Sequence, residues 1–594
     1  MTALHSMRER FVATLFGAAL IASTVSVPAQ AVEDAGSVSG GTEGADSDGA
    51  AEGSSPQPLP LDGPPRFVVA DGEVFDVAGR GRYYDTLDVL PLTNRTLLVN
   101  ELSMDDYIAG IAEMPTSWPM EALKAQAVAA RTYAWRAIQR ASYDGYDICA
   151  TVACQVFKGA DVVLGRETGN QWREAVNATS DEVLLDADGR PILARYFSTS
   201  GGRTYANEEV FPSSGAFDYL VGIDDPYDAV SPLHKWHVTF TRDEFDAIIA
   251  RGDTLSAAAP VASVERLGAI DDPLAQVRVT GQNGVVVDVG VVAFRDFVSR
   301  MSAMLYPAQY PGPRADGQSR LPATMPSSRF DIAIVGDDVV VDGQGWGHGV
   351  GMGQYGARAR ATAGADYDEI LGAYYNGRLP TVAEVPDRVR VGMTADLPLR
   401  IGATTVFDIL VGDQTRVDDA LGTWEVARTD DGWTLTPPVG FGEPLVVTPT
   451  RIVAETRPEW GATTVEATVN TPAFLRLEVH DASGAVVAAR SLGVVDAGTH
   501  RARWPHDDEA ESRVEPGDYR ARIVARDRTG DEAGEAVTVT VPAPPRPPDP
   551  EPPAGDDEPA TTPDRLRVGM VVALAVGAVG VLLLLLALLI RGRR

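Results

Sequence analysis

An uncharged run rich in valine and leucine, Val568 to Ile590, sets the first bound on this chain. At about 1.5 Å of rise per residue, such a run crosses the roughly 30 Å hydrocarbon layer of a bilayer as one helix. Arg591, Arg593 and Arg594 follow it, and basic flanks stay on the cytoplasmic side. The expectation is a single-pass protein of the cell membrane, with a transmembrane helix over 568–590, extracellular domains before it and a cytoplasmic tail over 591–594. No Leu-Pro-x-Thr-Gly precedes the run, so the helix itself is the expected anchor. At the other end Arg8 and Arg10 precede an apolar run from Phe11 to Val27 and then Pro28-Ala29-Gln30-Ala31. That is the order of a secretory signal, expected over 1–31. The run falls short of the about 20 residues that a second anchor needs.

Two polar stretches confine the packed structure to the middle of the chain. Residues 32–63 are acidic, with almost no large apolar side chain until the end, and cannot bury enough surface to offset their ordering entropy. Residues 542–567 begin with the proline-dense "PAPPRPPDPEPPAGDDEPATTP", a semi-extended spacer. Between them, 44% hydrophobic residues over a 594-residue chain allow several cores. The formal charge of −32 argues against a nucleic-acid partner, because phosphate binding requires a basic surface.

Within that middle, "FLRLEVHD" (Phe474 to Asp481) puts Leu475, Leu477 and Val479 on one face, the period of a half-buried strand. Asp481-Ala482-Ser483-Gly484 reads as a hairpin turn, and Tyr519, Ala521, Ile523 and Ala525 repeat the alternation. A small β-sandwich is expected over 461–541, preceded by a β-rich segment over 380–455. The remaining region, 64–379, mixes helical and strand patterns, so an α+β region is expected there. It contains "GIAEMPTSWPMEALKAQAVAARTYAWRA" (Gly110 to Ala137), "YFSTSGGRTYANEEV" (Tyr196 to Val210) and "GQGWGHGVGMGQYGA" (Gly343 to Ala357). The last two combine glycines, which permit close backbone approach, with hydroxyls, aromatics or a histidine, and are expected to form groove walls. The alanines at 122, 125, 127, 129 and 130 predict a closely packed core helix. Asp105 and Asp106 are expected as exposed charges at a helix start.

These segments, with "DICATVACQVFKG" and "YDEILGAYYNG" and in the same order, resemble the sporulation stage II protein D / amidase enhancer family over roughly half the chain. The resemblance implies a cell-wall protein acting on peptidoglycan glycan strands, its sporulation members being lytic transglycosylases. By motif position it places the catalytic acid on Glu113 and groove contacts on Lys124, Gln126 and Arg131. Ser200, Thr204, His348 and Gln354 become candidate sugar contacts in the same way. Lys124 and Arg131 share a helix face whereas Gln126 points nearly opposite Lys124, so Gln126 is either a groove contact or a satisfied core amide. The stretch "DASGAVV…AGTHRARW…PGDYRARI" resembles the immunoglobulin-like domain of flagellar-hook-capping proteins, which implies a spacer or interaction module.

A lone acid suits that chemistry. Ordinary glycosidases use two carboxylates, one as acid and one as nucleophile or base. A lytic transglycosylase uses the substrate's own muramic-acid C6 hydroxyl as nucleophile, so Glu113 can act first as acid and then as base. It must then stay protonated near neutral pH, which apolar neighbours such as Ile111, Met114, Pro115 and Trp118 favour. Lys124 or Arg131 beside it would oppose this, so both are expected to face substrate. The alternative is a non-catalytic glycan-binding enhancer of a cell-wall amidase, which would make that amidase a partner.

No cofactor or metal is expected. His348 has no companion at ligand spacing, and the glycine-rich run lacks the Gly-Lys-Ser/Thr ending of a phosphate loop. Zinc-binding relatives place histidines beside the cysteines, but Ala153 stands there. Cys149 and Cys154 are therefore expected as a disulfide, with zinc and free thiols the alternatives.

Overall fold

A computed structural model describes residues 56–92, 95–310, 324–457, 462–504 and 514–541. Two sheets organise the first core. One runs, in spatial order, Leu59–Leu61, Gly432–Thr436, Trp424–Thr429, Leu399–Ala403, Val74–Val77 and Gly81–Tyr84. The other runs Gln414–Ala420, Phe407–Val411, Pro65–Val69, Thr86–Pro91, Thr96–Ser103, Arg388–Ala395 and Ile148–Cys149. Phe67 and Phe407 of the second sheet close on Phe75 of the first, with ring centroids 6.3 and 5.4 Å from it. Edge-to-face contacts of this kind add to the burial of three large apolar rings.

The helix Met120–Arg140 is the hub of this core. Its alanines at 122, 125, 127, 129 and 130 are fully buried, and their small side chains let it pack against the helices Gly169–Ala178, Gln354–Thr362 and Tyr367–Tyr374 and the strand Glu182–Leu184. A second core is an insertion that enters at Leu233 and leaves at Gly345, where the Gly345 N–H donates to the Leu233 carbonyl at 3.0 Å. It contains two three-stranded sheets and the helices Arg242–Ile249 and Val291–Leu305 around Phe240, Phe245, Phe294 and Phe330.

The third core lies between a three-stranded sheet (Arg451–Arg457, Ala462–Val469, Gly498–Trp504) and a five-stranded one built on Ala473–His480 and Gly517–Arg526. Leu475, Leu477, Val479, Tyr519, Ala521, Ile523 and Ala525 point into it, as their two-residue period requires. Asp481 Oδ1 accepts from the Ser483 and Ala485 N–H groups at 2.8 and 2.9 Å, closing the hairpin turn.

The expected fold class needs two corrections. The β-rich stretch does not follow the α+β region as a separate piece. Arg388–Ala395 pairs antiparallel with Thr96–Ser103 over its whole length, and Leu399–Ala403 pairs with Val74–Val77. Residues 59–61, expected in the leader, add an edge strand to Gly432–Thr436. Alternation reveals that a strand has a buried face, not which partner lies beside it. The second correction concerns the membrane. Among the described residues no helix is long and apolar enough to cross one. The runs read as signal (1–31), spanning helix (568–590) and tail (591–594), like the spacer over 542–567, lie outside the described residues. Single-pass placement in the cell membrane, and association through a C-terminal helix, are not supported.

Candidate active site

Glu113 is positioned by a short antiparallel pairing. The helix Met104–Ala109 is capped by the Ser103 hydroxyl and stops at Gly110, where a Cβ would lie 2.4 Å from the Phe157 ring. Past this close approach Ile111 bridges Phe157, and the Ala112 N–H donates to the Val156 carbonyl at 2.8 Å. The Val156 N–H then donates to Glu113 Oε1 at 2.7 Å. Cys149 and Cys154 are joined by a disulfide with an S–S distance of 2.19 Å. That loop closes one residue before Gln155 and two before the residue that holds the carboxyl.

The surroundings are apolar and phenolic. Ile111, Met114 and Trp118 are buried, and burial raises the Glu113 pKa above its ordinary 4.5, opposed only by the Val156 N–H. Tyr107, Tyr133 and Tyr196 have phenols raised chiefly by burial, with the Glu113 charge adding to each. Gln155 ties two of them together. Its Oε1 accepts from the Tyr107 hydroxyl at 2.7 Å, and its Nε2 donates to the Tyr196 hydroxyl at 2.8 Å. Gln155 and the three tyrosines carried no signal of their own in the sequence. They lie in or beside the quoted motifs, but only the pairing of 111–113 with 156–157 gathers them around Glu113.

The two glycine-rich segments do lie side by side. Met352–Gly353 pairs in parallel with Tyr196–Phe197, and bridges join Thr199 to Trp346 and Tyr205 to Val350. Gly351 has φ +80°, and a Cβ there would come within 2.1 Å of the Arg195 carbonyl.

Most of the expected contacts are spent on internal bonds. Arg131 is fully buried; its guanidinium donates to the carbonyls of Thr179, Val176 and Glu182 at 2.7, 3.2 and 3.3 Å and to Asp105 at 2.9 Å. It braces the end of the helix Gly169–Ala178 and offers no face to a ligand, which corrects its expected role. Asp105 and Asp106 are accordingly paired, with Arg131 and Arg173, and not free charges. Lys124 is bound to Glu121 at 2.8 Å and sits 5.4 Å from the centre of the Tyr367 ring. Gln126 is fully buried, accepting from Gln354 Nε2 at 3.1 Å, and its own Nε2 has no hydrogen-bond partner among the described residues. Ser200 and Thr204 are buried, their hydroxyls accepting from the N–H groups of Gly202 and Ile223 at 3.1 and 3.0 Å. Gln126, Ser200 and Thr204 are thus turned inward, against the expectation of sugar contact, whereas Lys124 stays partly exposed.

His348 is half-buried between Phe197 and Phe211, with ring centroids 5.5 and 5.6 Å away. Its Nδ1 accepts from the Val350 N–H at 3.1 Å. Burial first, then the nearby Arg195 charge, pushes its pKa down to about 3, so it is neutral at physiological pH. Among the described residues no group of three or more histidine, cysteine, aspartate or glutamate side chains is placed to hold a metal ion.

A single half-buried carboxyl in a phenolic setting, followed by a β-sandwich, defines a modular protein with one candidate acid group. Residues 93–185, which include Glu113, Gln155 and Val156, match the family described as Stage II sporulation protein, and residues 457–529 match the FlgD Ig-like domain. The chain belongs to the sporulation-related family of cell-wall proteins that holds stage II sporulation protein D and the amidase enhancer. Stage II sporulation protein D of Bacillus subtilis is 30% identical over 293 residues, covering 47% of this chain and 74% of that one. An uncharacterised protein of Brachyspira hyodysenteriae is 32% identical over 301 residues, 50% of this chain and 71% of that one. The amidase enhancer of B. subtilis is 30% identical over 290 residues, 45% of this chain and 38% of its own length. A solved structure of FlgD from P. aeruginosa matches 16% of this chain and 70% of that one, at 19% identity and a TM-score of 0.13.

Proposed function

We propose that this protein is a lytic transglycosylase that cuts peptidoglycan glycan strands, with Glu113 as its one acid and base, in sporulation or cell-wall remodelling. The observation that carries this reading is the setting of Glu113: a half-buried carboxyl whose pKa burial raises above its ordinary 4.5, with one N–H on Oε1 and no cation or second carboxylate among the causes of that shift. Protonated Glu113 gives its proton to the glycosidic oxygen, and the bond from that oxygen to muramic C1 breaks. The muramic C6 hydroxyl then bonds to C1 and returns its proton to Glu113, so the acid is regenerated and no water is consumed. The Val156 N–H favours the carboxylate between the two transfers, and burial favours the acid before and after.

The test is incubation of the full chain with glycan strands, followed by mass spectrometry of the ends. Anhydro-muramic ends, lost in Glu113→Gln, are the expected result. Reducing ends alone would point to hydrolysis and overturn the mechanism.

A second reading has its own support. One relative is named Amidase enhancer, and Arg131, Gln126, Ser200 and Thr204 are bonded within the fold. In that reading the protein binds glycan and stimulates an amidase without cutting. Stimulation that survives Glu113→Gln, with no cleavage by the wild type, would favour it.

A further inference from the structure

We propose that an arginine-lined hollow beside Glu113 is a carboxylate-binding subsite for the glycan, a proposal that rests on Glu113 being the cutting centre. The hollow has a volume of about 210 Å³ and is walled by Tyr133, Arg136, Arg140, Tyr143, Leu193 and Cys154. Two links tie it to Glu113. Cys154 leads directly into Gln155 and Val156, and the Tyr133 phenol feels the Glu113 charge.

Cations dominate this hollow in a chain whose formal charge is −32. Arg136 donates to the Pro191 carbonyl at 2.8 Å, but its Nε is buried without a hydrogen-bond partner among the described residues. Arg140, exposed at the end of the central helix, makes no hydrogen bond or ion pair with another described side chain. The Arg195 guanidinium, among the described residues, hydrogen-bonds only the neutral amide of Asn207, at 3.2 Å, and lies 4.0 Å over Phe211. Burial, with Arg140 and Arg136 contributing, lowers the Arg195 pKa, which registers how close the three like charges are. The one carboxylate in the wall, Asp147, accepts from the Arg390 N–H at 2.8 Å.

A guanidinium without a side-chain partner, as at Arg140, is matched by carboxylate oxygens, which it binds in a fork, and Arg136, held by Pro191 and lying 5.8 Å over the Phe217 ring, adds positive charge beside it. Tyr143 supplies the other half of a sugar site. It is 41% exposed and stacks on Tyr146 at 4.6 Å and 14°, leaving a flat aromatic edge at the rim of the hollow. A ring lying there with its carboxylate toward Arg140 and Arg136 would place the neighbouring glycosidic bond toward Glu113. The carboxylate has two possible sources, the lactyl group of a muramic acid without peptide or the carboxylates of an attached peptide.

The test uses the full chain carrying Glu113→Gln, so that nothing is turned over, and three probes. These are chitotetraose, which has no carboxylate; a tetrasaccharide of alternating N-acetylglucosamine and N-acetylmuramic acid with free lactyl groups; and the same tetrasaccharide with stem peptides attached. Binding is measured by calorimetry with and without Arg140→Gln. At least one carboxylate-bearing probe is expected to bind about tenfold more tightly than chitotetraose, as one charge-assisted pair implies. Arg140→Gln should remove that advantage and leave chitotetraose unchanged, and the probe that loses affinity identifies the source. Equal loss for all three probes, or no loss for any, overturns the proposal. Arg140→Lys should retain part of the advantage, which separates charge recognition from a folding defect. Scoring cleavage of the same probes by the chain with Glu113 intact keeps the two readings apart. Carboxylate preference with no cleavage of any probe would support the subsite and refute the cutting role of Glu113.

Discussion

Arg131→Met separates a brace from a ligand contact. The substitution keeps most of the side-chain volume and removes four hydrogen bonds, to Asp105, Thr179, Val176 and Glu182. Some of the abandoned acceptors keep a partner. The Thr179 carbonyl still accepts from the Glu182 N–H at 3.1 Å, and Asp105 keeps the Ser180 hydroxyl at 2.6 Å and is partly open to water. The loss should therefore sit at the low end of the range for breaking a buried pair, about 3 kcal/mol. At about 1.4 kcal/mol per decade, this lowers the exchange protection of amides in Met120–Arg140 and Gly169–Ala178 by about two orders of magnitude. Hydrogen–deuterium exchange with mass spectrometry reads it locally, without assuming that three cores unfold together. Lys124→Met is the control, since a partly exposed pair with Glu121 contributes about 0.5 kcal/mol. If Arg131→Met leaves both helices protected and instead weakens glycan binding, the bracing argument is wrong and the guanidinium reaches substrate.

Other outcomes follow from the same geometry. Because burial raises the Glu113 pKa, the native chain keeps this proton to higher pH than the unfolded chain does. Stability relative to Glu113→Gln should therefore fall as pH rises above the ordinary 4.5, and the melting-temperature gap should close below it. Cleavage should likewise decline as pH rises through that raised pKa, in a kcat profile. The His348 ring resonances should not move between pH 5 and 8, because its pKa lies near 3; titration in that window would refute its burial. Reducing the disulfide, whose cysteines are 5 apart in sequence, should cost about 2 kcal/mol by loop closure. Protection of the Val156 amide should fall with it, while an unchanged Val156 would detach the loop from the site. Gly351→Ala should destabilise by roughly 2 to 4 kcal/mol in thermal melts, from its positive φ and the Arg195 carbonyl at 2.1 Å from the new Cβ.

Local periodicity made parts of this fold legible. The alternation at Leu475, Leu477 and Val479 is a strand in the sandwich core, and the alanines of Met120–Arg140 are buried as their spacing predicts. The apolar neighbours of Glu113 in sequence, Ile111, Met114 and Trp118, are also buried. What stayed hidden was set by contacts between distant residues. A helical wheel puts Lys124 and Arg131 on one face, but the end of the helix Gly169–Ala178 covers that face at Arg131 and leaves it half-open at Lys124. Polarity therefore misled for Arg131, whose charge is satisfied inside. Likewise nothing in "CQVFKG" announces that Gln155 binds two tyrosines, one 48 and one 41 residues away.

The interleaving of strands from 59–103 with strands from 388–436 has a consequence for how the chain can be made. Until Arg388–Ala395 has been synthesised, Thr96–Ser103 has only its neighbour Thr86–Pro91 and presents one open edge of backbone donors and acceptors. Closing that ladder spans nearly three hundred residues of intervening chain, a high contact order that makes assembly slow and late. The insertion from Leu233 to Gly345, with its ends already hydrogen-bonded, has no such dependence and can collapse as it emerges. The candidate active site is thus completed late, because the strand that leads into it, Thr96–Ser103, waits for a segment encoded far downstream, and a gene fragment ending at the family's motifs would leave an adhesive edge in place of a finished domain.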